Sequence, residues 1–172
     1  MGMSMQGDSA AGANQRRILI VDDTEDNRII LDRQLRAAGF ATELAEDGRQ
    51  AIAAISRRMP SLVLLDWMMP HLSGLDTLRA IRERADANTL PVIMCTAVGE
   101  DVSIVAAFKA GVTDFVQKPI NFPILAARIK SHLERAKSVT DMSSQVDQLE
   151  QVALDRTRDL LSQFRPSRPL RP

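Results

Sequence analysis

Cysteine is nearly absent from this chain. Cys95 stands alone among 172 residues, which rules out a disulfide within the chain. It lies in an apolar run and is expected to pack as a small core residue; a reducing, cytoplasmic setting fits that usage. An excess of either charge is missing as well. Lysine plus arginine number 22, and so do aspartate plus glutamate. That balance gives no support for a broad electrostatic grip on nucleic acid or an anionic membrane. No apolar run approaches the roughly 18 residues of a membrane span. The opening MGMSMQGDSAAGANQ lacks the apolar centre of a signal peptide and reads as a disordered arm over 1–15. The two histidines, His71 and His132, are far apart and have no zinc-ligand spacing. The chain contains no P-loop and no helix-turn-helix pattern.

What is present is a set of short apolar runs, most of them ending on a polar residue. Ile18–Val21 stops at Asp22 and Asp23, and Leu62–Leu65 stops at Asp66. Val92–Cys95 closes on Thr96, and Asp114–Gln117 leads into Lys118 and Pro119. Ala41–Ala45, less apolar, reads as an edge strand. Wholly apolar runs of this length fit strands buried on both faces of a parallel sheet. Helical spacing fills the intervals. Thr24–Ala38 is expected to turn Leu31, Leu35 and Ala38 inward and to stop at Gly39. A helix after Gly48 would bury Ile52, Ile55 and Met59, and one from about Ser73 would bury Leu75, Leu78 and Ile81. Asp101–Ala110 would bury Ile104, Val105 and Phe108, and a last helix from about Asn121 would bury Leu125, Ile129 and Leu133.

Strands alternating with helices imply an α/β fold, a doubly wound five-stranded parallel sheet of order 2-1-3-4-5, flavodoxin-like. In that order the ends carrying Asp22, Asp23, Asp66, Thr96 and Lys118 converge on the carboxyl edge of the sheet. Each residue alone has an ordinary reading: Asp22 or Asp23 as a helix cap, Asp66 as a turn former, Lys118 as a solvated lysine. Together they make a site. Carboxylates about 4 Å apart repel by ~4 kcal/mol per pair at an effective dielectric near 20. Such a cluster raises its pKa values or binds a cation, and all-oxygen ligands favour Mg²⁺. Lys118 and Thr96 supply a charge and a hydroxyl for phosphoryl oxygens, so a carboxylate there can form an acyl phosphate.

These residues resemble the receiver domains of two-component response regulators. The match rests on Asp22-Asp23, on the DxxMPxxxG run at Asp66, Met69, Pro70 and Gly74, on Thr96-Ala97, and on Lys118-Pro119. It runs from Arg16 to about Arg135. The resemblance implies that Asp66 is the phosphoacceptor and that Asp22, Asp23 and the Met68 carbonyl join it in ligating Mg²⁺. It implies that Thr96 and Lys118 hold the phosphoryl group, and that the donor is a sensor histidine kinase or a histidine phosphotransfer protein. It further implies a cis peptide at Lys118-Pro119 and a switch in which Thr96 moves and Phe115 rotates. Met68 and Val98, both apolar, occupy positions that vary in the family; they are expected to hinder the hydrolytic water and prolong the acyl phosphate.

Beyond Arg135 the helical pattern continues over 136–164. Val139, Met142, Val146, Leu149, Ala153 and Leu160 fall at steps of three and four, with Arg156 breaking the series. That is about three heptads and ~33 Å of helix, best satisfied by a parallel homodimeric coiled coil. Residues 165–172, rich in proline and arginine, read as a disordered tail. The organisation expected is thus an arm, a receiver over 16–135, a helix and a tail. The leading functional expectation is a phosphoacceptor signalling module rather than an enzyme, acting on an unknown output. A receiver-plus-linker piece of a larger regulator with a cyclic-dinucleotide phosphodiesterase or cyclase is the alternative. A Mg²⁺-dependent phosphohydrolase is weaker, because Met68 stands where that chemistry commonly places a second Asp.

Overall fold

Residues 16–97 and 104–163 are described in this computed structural model. The expected arm, Val98 and the expected tail lie outside them. The chain divides into two compact units, Met1–Ala136 and Lys137–Pro172.

In the first unit β1 (Arg17–Val21), β2 (Ala41–Ala45), β3 (Leu62–Asp66), β4 (Val92–Thr96) and β5 (Asp114–Gln117) alternate with helices. These are α1 (Glu25–Ala37), α2 (Gly48–Arg57), α3 (Gly74–Arg82), α4 (Ile104–Lys109) and the first part of α5 (Phe122–Gln163), whose remainder belongs to the second unit. All strand pairs are parallel and the order is β2-β1-β3-β4-β5, as the alternation predicts. The twofold period of the strands divides the core. Leu19, Val21, Val63, Leu65, Val92 and Met94 meet α2, α3 and α4 on one face. Ile18, Ile20, Leu62, Leu64 and Ile93 meet α1 and α5 on the other, against Leu31, Leu35, Leu125, Ile129 and Leu133.

Local signals set several of the helix ends. Asp47 caps α2 by accepting from the Gln50 N–H at 2.7 Å, and Ser73 caps α3 by accepting from the Asp76 N–H at 3.1 Å. Gly39 and Gly111, both at φ 89°, close α1 and α4 in the left-handed region that glycine enters without strain. The Lys118-Pro119 peptide is cis.

Three inward faces depart from the periodicity. On α4, Ile104, Val105 and Phe108 are 53, 65 and 56 % exposed, and Ala107 is the residue that packs on the sheet. Apolar residues run through all of Ile104–Phe108, so spacing alone admits more than one buried face. The small Ala107 lets the short helix lie close to the strands. On α2 the buried residues are Ala51, Ala54 and Ile55, while Met59 lies past the helix end and is exposed. Ala38 likewise falls outside α1 and is exposed. Small side chains carry these contacts because α2 approaches α3 closely: a Cβ on Gly48 would stand 2.2 Å from Thr77 Oγ1.

The helix α5 is 42 residues long. Within the second unit its apolar series is open to solvent: Met142, Val146 and Leu149 are each more than half exposed.

Candidate functional site

Parallel registers bring the strand ends level. Val21 pairs with Leu65, Asp66 with Cys95, and Thr96 with Gln117. Asp22, Asp66, Thr96 and Lys118, read as strand-end residues from the sequence, therefore meet at one edge. Oxygens of Asp22, Asp23 and Asp66 lie within 4.8 Å of one another. Lys118 Nζ stands between two of them, 3.0 Å from Asp22 Oδ2 and 2.9 Å from Asp66 Oδ1. The Lys118 N–H also donates to the Thr96 carbonyl at 2.7 Å, which ties the ends of β4 and β5 together.

The three acids differ in environment. Asp22 is 2 % exposed and saturated with donors. The Thr24 N–H reaches its Oδ1 at 2.9 Å, and Asn27 Nδ2 reaches Oδ1 at 3.1 Å and Oδ2 at 3.2 Å. Arg28 Nη1 donates to its backbone carbonyl at 2.6 Å. Asp23 is exposed, with a long 3.4 Å bond from Thr24 Oγ1. Asp66 is 7 % exposed. Burial pushes its pKa up and the Asp22 charge adds to that, outweighing the Lys118 hydrogen bond. Burial alone would lower the Lys118 pKa, but its bonds to Asp66 and Asp22 raise it overall, so the ammonium stays charged. Burial pushes the Cys95 thiol up to about 12, leaving an inert core residue.

Three carboxylates against one ammonium leave an excess of negative charge. With all-oxygen donors and one exposed acid, the set fits a hard divalent cation such as Mg²⁺. The donors already on Asp22 leave Asp23 and Asp66 the better direct ligands.

The loop after Asp66 is drawn tight. The Gly74 N–H donates to the Trp67 carbonyl at 3.0 Å and the Leu72 N–H to the Pro70 carbonyl at 2.8 Å, with His71 at φ 69° between them. A Cβ on Gly74 would stand 2.2 Å from the Asp66 carbonyl oxygen, which is why the run ends on glycine. Met68, two residues past Asp66, is 59 % exposed.

Phe115 lies on β5. Its ring meets Phe108 edge to face, centroids 5.5 Å apart, and it shares a surface hollow with Thr96, Ile104 and Ile124. Asn27 and Arg28 escape the motif reading. Their only trace in the sequence is a position in the first turn of the helix that follows the acidic pair.

The response regulator receiver domain family matches residues 18–130. The chain is 39 % identical over 121 residues to the phosphate regulon transcriptional regulatory protein PhoB of Rhizobium meliloti, covering 70 % of this chain and 53 % of that one. Among solved structures, NtrX from Brucella abortus superposes with a TM-score of 0.70 at 33 % identity, over 76 % of this chain and 29 % of its own. A two-component system response regulator/GGDEF domain protein superposes with a TM-score of 0.68 at 28 % identity, over 72 % of this chain and 51 % of its own. The chain spans about half the length of the curated relatives it matches.

Proposed function

Because the chain belongs to the response regulator receiver domain family, we propose that it signals by taking a phosphoryl group on Asp66 from a phosphohistidine. The observation that carries this reading is the Lys118 ammonium held between Asp22 and Asp66 at 3.0 and 2.9 Å.

The chemistry is a single displacement at phosphorus. An Asp66 carboxylate oxygen forms the new O–P bond as the P–N bond to the donor imidazole breaks, and the bonding pair leaves on nitrogen. The product is an acyl phosphate. Lys118 stays protonated and answers the negative charge of the transferred group. Thr96, at the end of β4, offers its hydroxyl to the same oxygens. Asp23, Asp66 and the Met68 carbonyl, with Asp22 behind them, would hold Mg²⁺, which when bound would neutralise charge on the reacting oxygens. Because Thr96 and Phe115 line one hollow, movement of Thr96 frees space for the Phe115 ring. That movement alters the face formed by α4 and β5.

Receiver membership implies a histidine kinase partner, directly or through a phosphotransfer protein. Val146 and Leu149, 54 and 70 % exposed, support pairing of the second unit with a second copy as a parallel coiled coil. Among the described residues no helix is long and apolar enough to cross a membrane, and we place the module in the cytoplasm. Turnover is limited to its own phosphorylation and dephosphorylation. A second reading makes the chain the receiver-plus-linker part of a longer regulator with an enzymatic output. The half-length match to curated relatives and the GGDEF protein among its structural neighbours favour that reading. The regulatory roles in the relatives' names belong to those longer proteins.

Incubation with Mg²⁺ and acetyl phosphate, followed by intact mass, tests the core reading. Wild type gains one phosphoryl group and Asp66→Asn gains none. Unmodified wild type, or equal labelling of the mutant, rejects Asp66 as the acceptor. Rapid multiple turnover of varied phosphate esters would point to a hydrolase.

A further inference from the structure

Asn27 belongs to none of the motifs that mark the site, yet its amide reaches the most buried of the three acids. It is the third residue of α1, the position from which Glu or Gln can reach back to the helix's own cap. Here the capping residue Thr24 makes no side-chain cap bond, and Asn27 turns its Nδ2 onto both oxygens of Asp22, at 3.1 and 3.2 Å. The Asn27 side chain thus serves the acid cluster and not the helix start.

Asp22 has two oxygens and three donors around them. Thr24 N–H meets Oδ1, Lys118 Nζ meets Oδ2, and Asn27 bridges the pair. The carboxylate plane cannot turn without breaking one of these bonds. Lys118 takes its position from that plane, since the oxygen it binds is one that Asn27 fixes. An amide supplies N–H donors without adding charge, so it orients Asp22 and leaves the negative charge a cation needs.

We infer that Asn27 is a positioning residue for phosphoryl acceptance, clamping Asp22 so that Lys118 and the cation site are held against Asp66. The inference rests on Asp66 as the phosphoacceptor. Side chains that orient the ligands of a metal typically matter by about 10–100-fold in affinity or activity.

The test uses the full chain with Asn27→Ala, Asn27→Gln and, as a control, Gln34→Ala, since Gln34 lines a surface hollow together with Asp22, Asn27 and Lys118. Mg²⁺ titrations are followed by the emission of Trp67, the only tryptophan and the neighbour of Asp66. Labelling by acetyl phosphate is followed by intact mass, and folding by thermal melts. Asn27→Ala is expected to lower Mg²⁺ affinity and labelling rate on the order of tenfold, with partial recovery in Asn27→Gln and no change in Gln34→Ala. In an Asp22→Ala background, Asn27→Ala should cost no further Mg²⁺ affinity, because its effect runs through Asp22. Unchanged affinity and rate in Asn27→Ala, or a loss that adds in full to Asp22→Ala, overturns the inference. Should Asn27→Ala fail to fold, Asn27→Leu, which keeps the volume and removes the donors, takes its place: a loss of about tenfold that vanishes in the Asp22→Ala background supports the inference, and wild-type behaviour or a loss that adds in full overturns it. Wild type that takes no label refutes the phosphoacceptor reading, and the Mg²⁺ titrations still decide whether Asn27 acts through Asp22.

Discussion

On the proposed function, Met68 is the residue expected to set the lifetime of the acyl phosphate. Its thioether is more than half exposed, two residues past Asp66. It offers no strong hydrogen bond to a water approaching an acyl phosphate. Met68→Asn gives that water a partner and should speed loss of the phosphoryl group by about fivefold, the rate equivalent of ~1 kcal/mol. The decay of labelled protein, followed by mass after removal of acetyl phosphate, measures it. Equal or slower decay in the mutant dismisses the idea. The acids, Lys118 and the glycine after Asp66 are readable as residues because each ends or follows an apolar run. Asn27 and Arg28 are not, because an Asn or Arg in a first helical turn ordinarily faces water. Their bonds to Asp22 appear only when the turn is folded back over it.

At the scale of elements, two contacts carry predictions. Gly74 begins α3 against the end of β3, and its close approach to the Asp66 carbonyl leaves no room for a methyl group. Gly74→Ala should therefore cost about 1–3 kcal/mol of stability, as overpacked sites do, and lower Mg²⁺ affinity as the loop shifts. Urea unfolding of the two proteins measures the first; a wild-type midpoint in the variant would show that the loop yields freely. The second contact joins β5 to α5. Asp114 accepts from Arg128 Nη1 at 2.8 and 2.6 Å and meets His132 Nε2 at 3.0 Å. Burial works against its charge, but the His132 and Arg128 bonds outweigh it and hold the carboxyl below its ordinary range. A lowered folded pKa means the stability is present above the unfolded value of about 3.9 and is lost as pH falls through the folded one. Asp114→Asn should cost ~1 kcal/mol at pH 7, with the gap to wild type closing below about pH 4. A gap of constant size across that range would mean the contact is not ionic.

For the whole molecule the open question is what meets the second unit. An isolated helix with an exposed apolar seam is marginal in water, so association should depend on Val146 and Leu149. Sedimentation equilibrium of the full chain is expected to show a dimer, and Val146→Lys, or removal of the residues after Arg135, a monomer. A dimer that survives both changes would move the contact to the first unit, where Ile104, Val105 and Phe108 lie exposed.

Apolar runs and their polar ends were enough to determine five strands, their parallel order and the residues at the carboxyl edge. A parallel strand buried on both faces reads as a nearly continuous apolar run, and right-handed crossovers leave few orders. Tertiary structure decided which face each helix buries. Where apolar residues are consecutive, as in Ile104–Phe108, the closeness the sheet demands selects the small Ala107 over its larger neighbours. It also decided how the three acids divide: equivalent in sequence, they part into a saturated Asp22, an exposed Asp23 and a buried Asp66 only once Lys118, Thr24 and Asn27 close around them. Hydrogen bonds between strand ends far apart in the chain have no trace in local pattern, and they set the chemistry of this edge.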